Sequence, residues 1–410
     1  MASPVLHIKD SYYFEVPKAL WPVHHAGKQD FPDVWVRLDP EFQLWEAERL
    51  YASYRALRAQ WPAEGNVLPW GVLKAKYAEW KVEHGNAGKP LARFLEEEHD
   101  AAWFARWQKE PQFAAEWRSA KGKAGDVGAF KQDGAVEWSP RKIEAYNAHL
   151  SGKILIPQVL GGQLRNLYER ESGFCISKFM ILELVVALVL CVTFAWLARQ
   201  VAGGDRPRGR LWNLLEALVV FIRDQIARHA IGPHEGDRFV PLLLSLFFFI
   251  LVCNLFGMLP WLGAPTSSWG VTFGLACVTF STVLGSGMRR FGPIGFFANL
   301  TPKMDLHFLL AVPIGLFILL IEVLGLCIRH TVLSIRLLAN MVAGHLVLLA
   351  IMLLAFSVQG AMSPNWGITA TIAVIGSIVF SCLELFVALL QAYIFTFLSA
   401  LFIGSAIHHH

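Results

Sequence analysis

Charge is what the last two fifths of this chain lack. Residues 239–410 hold eight Asp, Glu, Lys and Arg side chains, against 24 Lys/Arg and 23 Asp/Glu in residues 1–178. A water-soluble surface cannot be built from so few charges. With 55% hydrophobic residues and a positive mean hydropathy, the 410-residue chain reads as an integral membrane protein. The net charge of +4 hides this asymmetry. Cysteine is also scarce: five of the six (Cys191, Cys253, Cys277, Cys327, Cys382) lie in apolar segments, and no Cys-x-x-Cys pair occurs. That argues against a disulfide or zinc framework and leaves them as small core residues. No Gly-x4-Gly-Lys-Ser/Thr loop is present, which excludes P-loop nucleotide chemistry. The opening residues have no apolar h-region and no Arg/Ser run, so they resemble neither a signal nor a transit peptide.

What is present first is a Trp-rich stretch, residues 1–178, holding ten of the fifteen tryptophans. Its composition is that of a soluble domain, with helical patterns over Glu41–Gln60, Pro69–His84 and Pro90–Lys109 broken by Trp61-Pro62, Gly85 and Glu110-Pro111. His24-His25 and Glu96-Glu97-Glu98 have metal-ligand chemistry, but adjacent residues point different ways on a helix, so solvated faces are expected. The tryptophans are expected to pack, and the region to make subunit contacts.

From residue 179 the chain changes character. Phe179–Ala198 is long enough for a membrane span, with Glu183 near its entry end. Arg199, Arg206, Arg208 and Arg210 follow, and the positive-inside rule puts that loop on the non-translocated side. Leu211–Ile231 mixes an apolar face with Glu216, Arg223, Asp224 and Arg228, the pattern of a helix lying along the interface. Phe239–Leu262, interrupted at Cys253–Pro260, and Trp269–Met288, ending in Arg289-Arg290, are the next two spans. This alternation puts residues 1–178 on the translocated side. The Asn299-Leu-Thr301 sequon is too short a match to mean more than loop. Phe308–Phe356 and Gly367–Ile407 run about twice the length of a perpendicular span, with the break at Pro364-Asn365. They are expected to form a hairpin of long tilted helices, with Ala339, Ala343 and Gly344 allowing close approach. The fold class is therefore an all-α membrane protein: an interfacial amphipathic helix, about five membrane helices, and a helical soluble N-terminal extension. The domains are residues 1–178 and 179–410.

Inside the long apolar helices sit Glu322, Arg336, Asn340 and His345, then Glu384 and Gln391. A polar group in lipid carries a desolvation cost and marks function. Arg336 cannot deprotonate, so it needs an anion or water. Glu322, fourteen residues earlier and about 21 Å along a helix, cannot reach it directly. Two partners remain: Glu384 across the hairpin, a buried structural bridge, or a carboxylate on another chain. His345 and Glu384 together could pass protons through water.

Ser334-Ile-Arg336-Leu-Leu-Ala-Asn340-Met-Val-Ala-Gly344-His345, with Glu384 and Gln391 seven residues apart, resembles the proton-channel subunit a of F-type ATP synthases. The likeness covers roughly residues 179–407, including Asn254-Leu-Phe-Gly257-Met-Leu-Pro260 and Glu322. Residues 1–178 match nothing in that family. Bacterial members commonly carry Glu and His in the reverse order at the positions of His345 and Glu384, so this order resembles the mitochondrial version. The resemblance implies an entry half-channel lined by Asn254, His345, Glu384 and Gln391, an exit near Glu322, and Arg336 separating the two. It implies as partners a ring of c subunits, other Fo and peripheral-stalk subunits, lipid, and a second copy of the complex. It implies no cofactor, metal or nucleic acid, and no enzymatic activity in this chain alone. The location implied is a mitochondrial inner membrane, with the N-terminal extension in the intermembrane space and the C-terminus in the matrix.

Two other classes compete. A stand-alone secondary transporter or ion channel predicts an internal repeat of broken helices, and none is visible. A structural scaffold with a buried salt bridge has no use for Asn340, His345 and Gln391 together.

Overall fold

A computed structural model describes residues 10–62, 66–83, 86, 88–159, 161–202, 209–259, 262–300, 308–357 and 366–408. It divides into two compact units, residues 15–175 and a second unit that holds residues 10–14 and the membrane helices from Ile176 on.

The smaller unit is helical: α1 (Asp33–Arg37), α2 (Pro40–Gln60), α3 (Trp70–Val82), α4 (Leu91–Phe94), α5 (Ala101–Trp107), α6 (Pro111–Ala124), α7 (Val127–Gln132) and α8 (Pro140–Leu150). Short strands Gln163–Leu164 and Arg170–Ser172 pair antiparallel. Sequence starts each main helix in a recognisable way. Pro40, Pro111 and Pro140 occupy first-turn positions, and Asp39 and Ser139 accept hydrogen bonds from Glu41 N and Lys142 N. The aromatic residues are the core: Trp103 meets Phe113 edge-on at 5.0 Å, and Phe104 lies 4.9 Å from Trp117. Asp39, 1% exposed, is matched by Lys142 at 2.7 Å. Of the two clusters with ligand chemistry, Glu96 accepts from Trp117 Nε1 and Lys121, and Glu97 pairs with Arg93. The ring of His25 packs 4.7 Å from Phe31.

One expectation here needs correction. Pro90–Lys109 is not one helix: a π-type turn, Leu95–His99, separates α4 from α5. Asp100 N–H reaches back five residues to the Leu95 carbonyl, which widens the turn, and its carboxylate holds Tyr54 O–H and the Arg58 guanidinium. A side chain that serves a neighbouring helix has displaced the regular ladder.

Among its described residues the larger unit carries five helices long and apolar enough to cross a membrane: α9 (Lys178–Ala202), α12 (Gly236–Gly257), α13 (Trp269–Phe291), α15 (Phe308–Ser357) and α16 (Trp366–Ile407). Between them lie α10 (Arg210–Phe221), continued through a π-type turn into α11 (Arg228–Ile231), and the short α14 (Pro293–Asn299). Asp10 accepts from Phe179 N–H at the start of α9. α12 is the central helix, burying Leu243, Leu246, Phe247, Ile250 and Cys253 against α16, α9 and the segment before it. The sequence suggested a break over Cys253–Pro260; α12 instead runs unbroken to Gly257, so Asn254 projects from regular helix, while Pro260 lies outside the described residues. On the α10–α11 segment, Arg228 bridges Asp224 at 3.0 Å and Asp237 at 2.8 Å, which ties the segment to the start of α12. Gly404 of α16 packs directly on the Ala230 carbonyl, a contact that leaves no room for a β-carbon.

The two long helices appear as the apolar runs predicted, and they pack on each other. At 50 residues α15 is about 75 Å long at the α-helical rise, against a hydrocarbon core of about 30 Å. The break at Pro364-Asn365 lies outside the described residues. α15 leaves Leu316, Phe317, Leu320, Ile321, Leu324 and Ile328 uncovered, a continuous apolar face of the kind that meets lipid or another membrane helix.

Candidate functional site

The polar residues singled out in sequence fall into two separate places along α15. The first is a cavity of about 150 Å³ lined by Asn254, Asn340, Gly344 and Glu384 with apolar neighbours. Three helices build it: α12 contributes Asn254, α15 contributes Asn340 and Gly344, and α16 contributes Glu384. Gly344 is there because of the carboxylate. A β-carbon at that position would stand 2.7 Å from Glu384 Oε1 and 3.2 Å from its Cδ, so any larger residue would displace the carboxyl from where it now lies. The small residue expected to admit another helix admits a side chain of the same hairpin.

His345 lies beside the cavity, with Nδ1 3.5 Å from Glu384 Oε1. That spacing is long for a hydrogen bond and short enough for proton exchange after a small movement or through one water. Glu384 is 7% exposed, and its Oε1 accepts no hydrogen bond among the described residues. Asn254 is fixed from both ends: its Oδ1 accepts from Thr266 Oγ1 at 2.8 Å, and its Nδ2 donates to the Ala388 carbonyl at 3.4 Å. Gln391, two turns beyond Glu384, is 4% exposed, and its Nε2 has no partner among the described residues.

The second place is a cavity of about 410 Å³ between α13, α14, α15 and α16, lined by Glu322, Arg329, His330, Asn299 and Ser405 among others. Glu322 pairs with Arg329 at 3.2 Å. Thus Glu322 is apart from Asn254, Asn340, His345 and Glu384, as its sequence distance required.

Arg336 stands between the two places along α15 and lines neither cavity. It follows Arg329 by seven residues, as Arg329 follows Glu322, so the three make one stripe along the helix. Its side chain is exposed, and it forms no ion pair with a described carboxylate: Glu384 faces His345, and Glu322 faces Arg329. The buried Arg336–Glu384 bridge, the structural alternative left open by the sequence, is not formed.

Sequence reasoning missed three things. His330 is 4% exposed and lines the larger cavity. Ser334 joins Thr272 at 3.1 Å and couples α15 to α13. Thr266 orients Asn254 from the turn after α12. The signal for His330 was visible, a histidine within the same apolar run as Arg336, but it lies outside the quoted motif.

Comparison with known proteins bears on what this arrangement is. The family model described as ATP synthase A chain matches residues 180–404. The chain belongs to the ATP synthase A chain family. Three relatives are each named ATP synthase subunit a. One from Anaeromyxobacter sp. (strain Fw109-5) is 42% identical over 224 residues, covering 55% of this chain and 52% of the relative. One from Myxococcus xanthus (strain DK1622) is 37% identical over 260 residues, covering 61% and 80%. One from Chloroherpeton thalassium (strain ATCC 35110 / GB-78) is 38% identical over 244 residues, covering 58% and 69%. The chain thus spans about half the length of the Anaeromyxobacter relative and four fifths of the Myxococcus one. The match contains Asn254, Glu322, Arg329, His330, Arg336, Asn340, His345, Glu384 and Gln391 and leaves the unit Glu15–Cys175 outside it. This family member is a multi-pass, all-α membrane protein.

Proposed function

We propose that this chain is the proton-translocating subunit a of the Fo sector of an ATP synthase. The observation that carries the reading is Arg336: a permanent cation, exposed on a membrane helix, with no described carboxylate of its own chain paired to it and, to either side along α15, a cavity that holds a carboxylate. A fixed charge of this kind in lipid needs an anion or water, and a ring of c subunits, each carrying a lipid-embedded carboxylate, supplies the anion.

In this reading Asn254, Asn340, His345, Glu384 and Gln391 form the entry half-channel. His345 and Glu384 exchange a proton and deliver it to a c carboxylate, which then enters lipid cheaply because it is neutral. After nearly a full turn that carboxyl meets the exit side near Glu322 and loses its proton. Arg336 attracts the resulting carboxylate; two unit charges at 4 Å interact by about 4 kcal/mol at an effective dielectric near 20. The same charge repels a proton passing directly between the half-channels. Rotation and proton flow are thereby linked, and ATP is made by partner subunits.

The N-terminal region, residues 1–178, makes subunit contacts on the translocated side. Its nearly balanced charges and aromatic core support a self-contained contact domain, and crosslinking through its lysines would name the neighbours. The finer placement, a mitochondrial inner membrane, rests on the His345-before-Glu384 order. The three relatives are bacterial, which supports a bacterial coupling membrane instead. Fractionation of the source cells separates the two.

The test is Arg336→Ala in the assembled complex, with ATP-driven proton pumping and c-ring co-purification both measured. Loss of pumping with the ring retained is expected. Normal pumping would sink the channel-separator role, and loss of assembly alone would favour a scaffold.

A further inference from the structure

The proton pathway as proposed leaves a buried base unused. His330 sits on α15 six residues before Arg336 and eight after Glu322, about 9 and 12 Å along the helix axis. It is 4% exposed, enclosed by Phe280 of α13 at 5.2 Å and Phe402 of α16 at 5.1 Å between ring centres. Its Nδ1 lies 2.9 Å from the Leu326 carbonyl oxygen. A carbonyl can only accept, so Nδ1 is the protonated nitrogen and Nε2 carries the free lone pair. Nε2 is buried and has no hydrogen-bond partner among the described residues. A buried polar nitrogen without a partner is costly, and such groups are usually met by water or are there for chemistry.

The surroundings supply the water. His330 lines the cavity of about 410 Å³, and a water molecule in the liquid takes about 30 Å³, so the space holds a chain of them. Among the described lining residues the titratable and charged groups are Glu322, Arg329 and His330, all from α15. The facing elements contribute Val283 from α13, Phe296 and Asn299 from α14, and Phe402, Ser405 and Ala406 from α16, none of them titratable. The cavity thus offers a base on its inner wall and a carboxylate with its guanidinium partner two turns away.

We infer that His330 is a proton-relay residue of the exit half-channel, its Nε2 taking up the proton that leaves the c carboxylate beside Arg336 and handing it to water next to Glu322. This rests on the reading of the chain as subunit a. The step balances: the c carboxyl loses a proton to cavity water, Nε2 accepts that proton to give imidazolium, and the same Nε2–H is then lost to the next water. Nδ1 keeps its proton and its bond to Leu326 throughout, so no ring flip or tautomer exchange is needed between turnovers.

The experiment uses vesicles containing the complete complex, with passive proton flux measured after removal of the catalytic sector and normalised to co-purified c-ring. Flux is followed while the exit-side pH is varied between about 5.5 and 8.5, the range over which imidazole titrates. His330→Gln retains a side chain able to donate to Leu326 and cannot carry a proton. It should slow flux about tenfold, below the usual hundredfold or more for a positioned proton-transfer group because Glu322 shares the cavity. It should also remove the inflection in the exit-side profile. Parent flux and an unchanged profile in both His330→Gln and His330→Leu would overturn the relay. Should neither variant assemble, Glu322→Gln with His330 intact decides: a retained imidazole-range inflection supports the relay, and its absence overturns it. Parent-level ATP-driven proton pumping in Arg336→Ala, measured on the intact complex, would sink the subunit a reading and the relay with it. Parent-level flux in His330→Gln beside a loss of ATP-driven pumping in Arg336→Ala would overturn the relay alone.

Discussion

Gly344→Ala is the smallest change that reaches the His345–Glu384 pair without touching either residue. The added methyl would stand 2.7 Å from Glu384 Oε1, where ordinary contact begins near 3.4 Å, so the carboxyl must retreat by roughly 0.7 Å. Glu384 is 7% exposed and lines the cavity of about 150 Å³, so the retreat carries the carboxyl into that space and away from His345. Overfilling a packed site costs about 1–3 kcal/mol. Retreat also lengthens a His345–Glu384 approach that is 3.5 Å already. The expected outcome is retained assembly with ATP-driven proton uptake reduced about tenfold, equivalent to about 1.4 kcal/mol in barrier. Glu384→Asp withdraws the carboxylate by one methylene and makes room for the methyl. The double variant Gly344→Ala/Glu384→Asp should therefore be less impaired than the product of the two single losses, with a coupling of about 0.5–3 kcal/mol. Quenching of a pH-sensitive dye in reconstituted vesicles, normalised to assembled complex, provides the readout. Parent-level pumping by Gly344→Ala, or independent multiplication of the two losses, would refute the argument that glycine is required by the carboxylate.

Two further outcomes are expected. Gln391→Leu keeps the volume of a buried side chain whose Nε2 has no partner among the described residues, so the ring should still co-purify while passive proton flux falls; loss of the ring would instead assign Gln391 to packing. In the N-terminal unit burial holds His99 below the usual histidine value, against the opposing pull of Asp100, and burial with Lys153 and Lys18 does the same to His149. The unfolded chain then takes up protons first, so stability is full above about pH 6.5 and is lost as pH falls toward the depressed folded values. Tryptophan emission of the intact protein should show this acid-side loss, and the double variant His99→Gln/His149→Gln should flatten it; an unchanged acid limb counts against the assignment.

The large features were legible in the sequence because lipid imposes them. Runs as long as Phe308–Phe356 have one economical backbone solution, and α15 and α16 follow the apolar limits within a residue or two. Arg336, Asn340, His345, Glu384 and Gln391 stood out because polar groups are conspicuous in apolar runs. What could not be read was which of them meet. Helix periodicity places residues on one helix; the pairing of Glu384 with His345 rather than Arg336 depends on how α16 rotates against α15, and the void at Gly344 sets that. The same applies to Asn254: it was noticed beside an expected break, but its orientation comes from Thr266 in the following turn. The π-type turn at Leu95–His99 was invisible for a related reason. The cause is a tertiary bond from Asp100 to another helix, and local propensity contains no trace of it.

The absence of any interruption in α15 has a consequence for how this sequence can vary. Glu322, Arg329, Arg336, Asn340, Gly344 and His345 all hang from one unbroken rod, so inserting or deleting a single residue between them shifts everything beyond by about 1.5 Å and turns it by about 100°. A one-residue deletion at Val332 would carry Arg336 and His345 together to another azimuth relative to Glu322, swinging the cation off the exposed face. The smallest change that comes within about 20° of restoring the angular register is seven residues, and it would add or remove about 10 Å. Substitutions along this helix can be absorbed by repacking, whereas changes in its length cannot. The helix is at once the ruler and the protractor of the site.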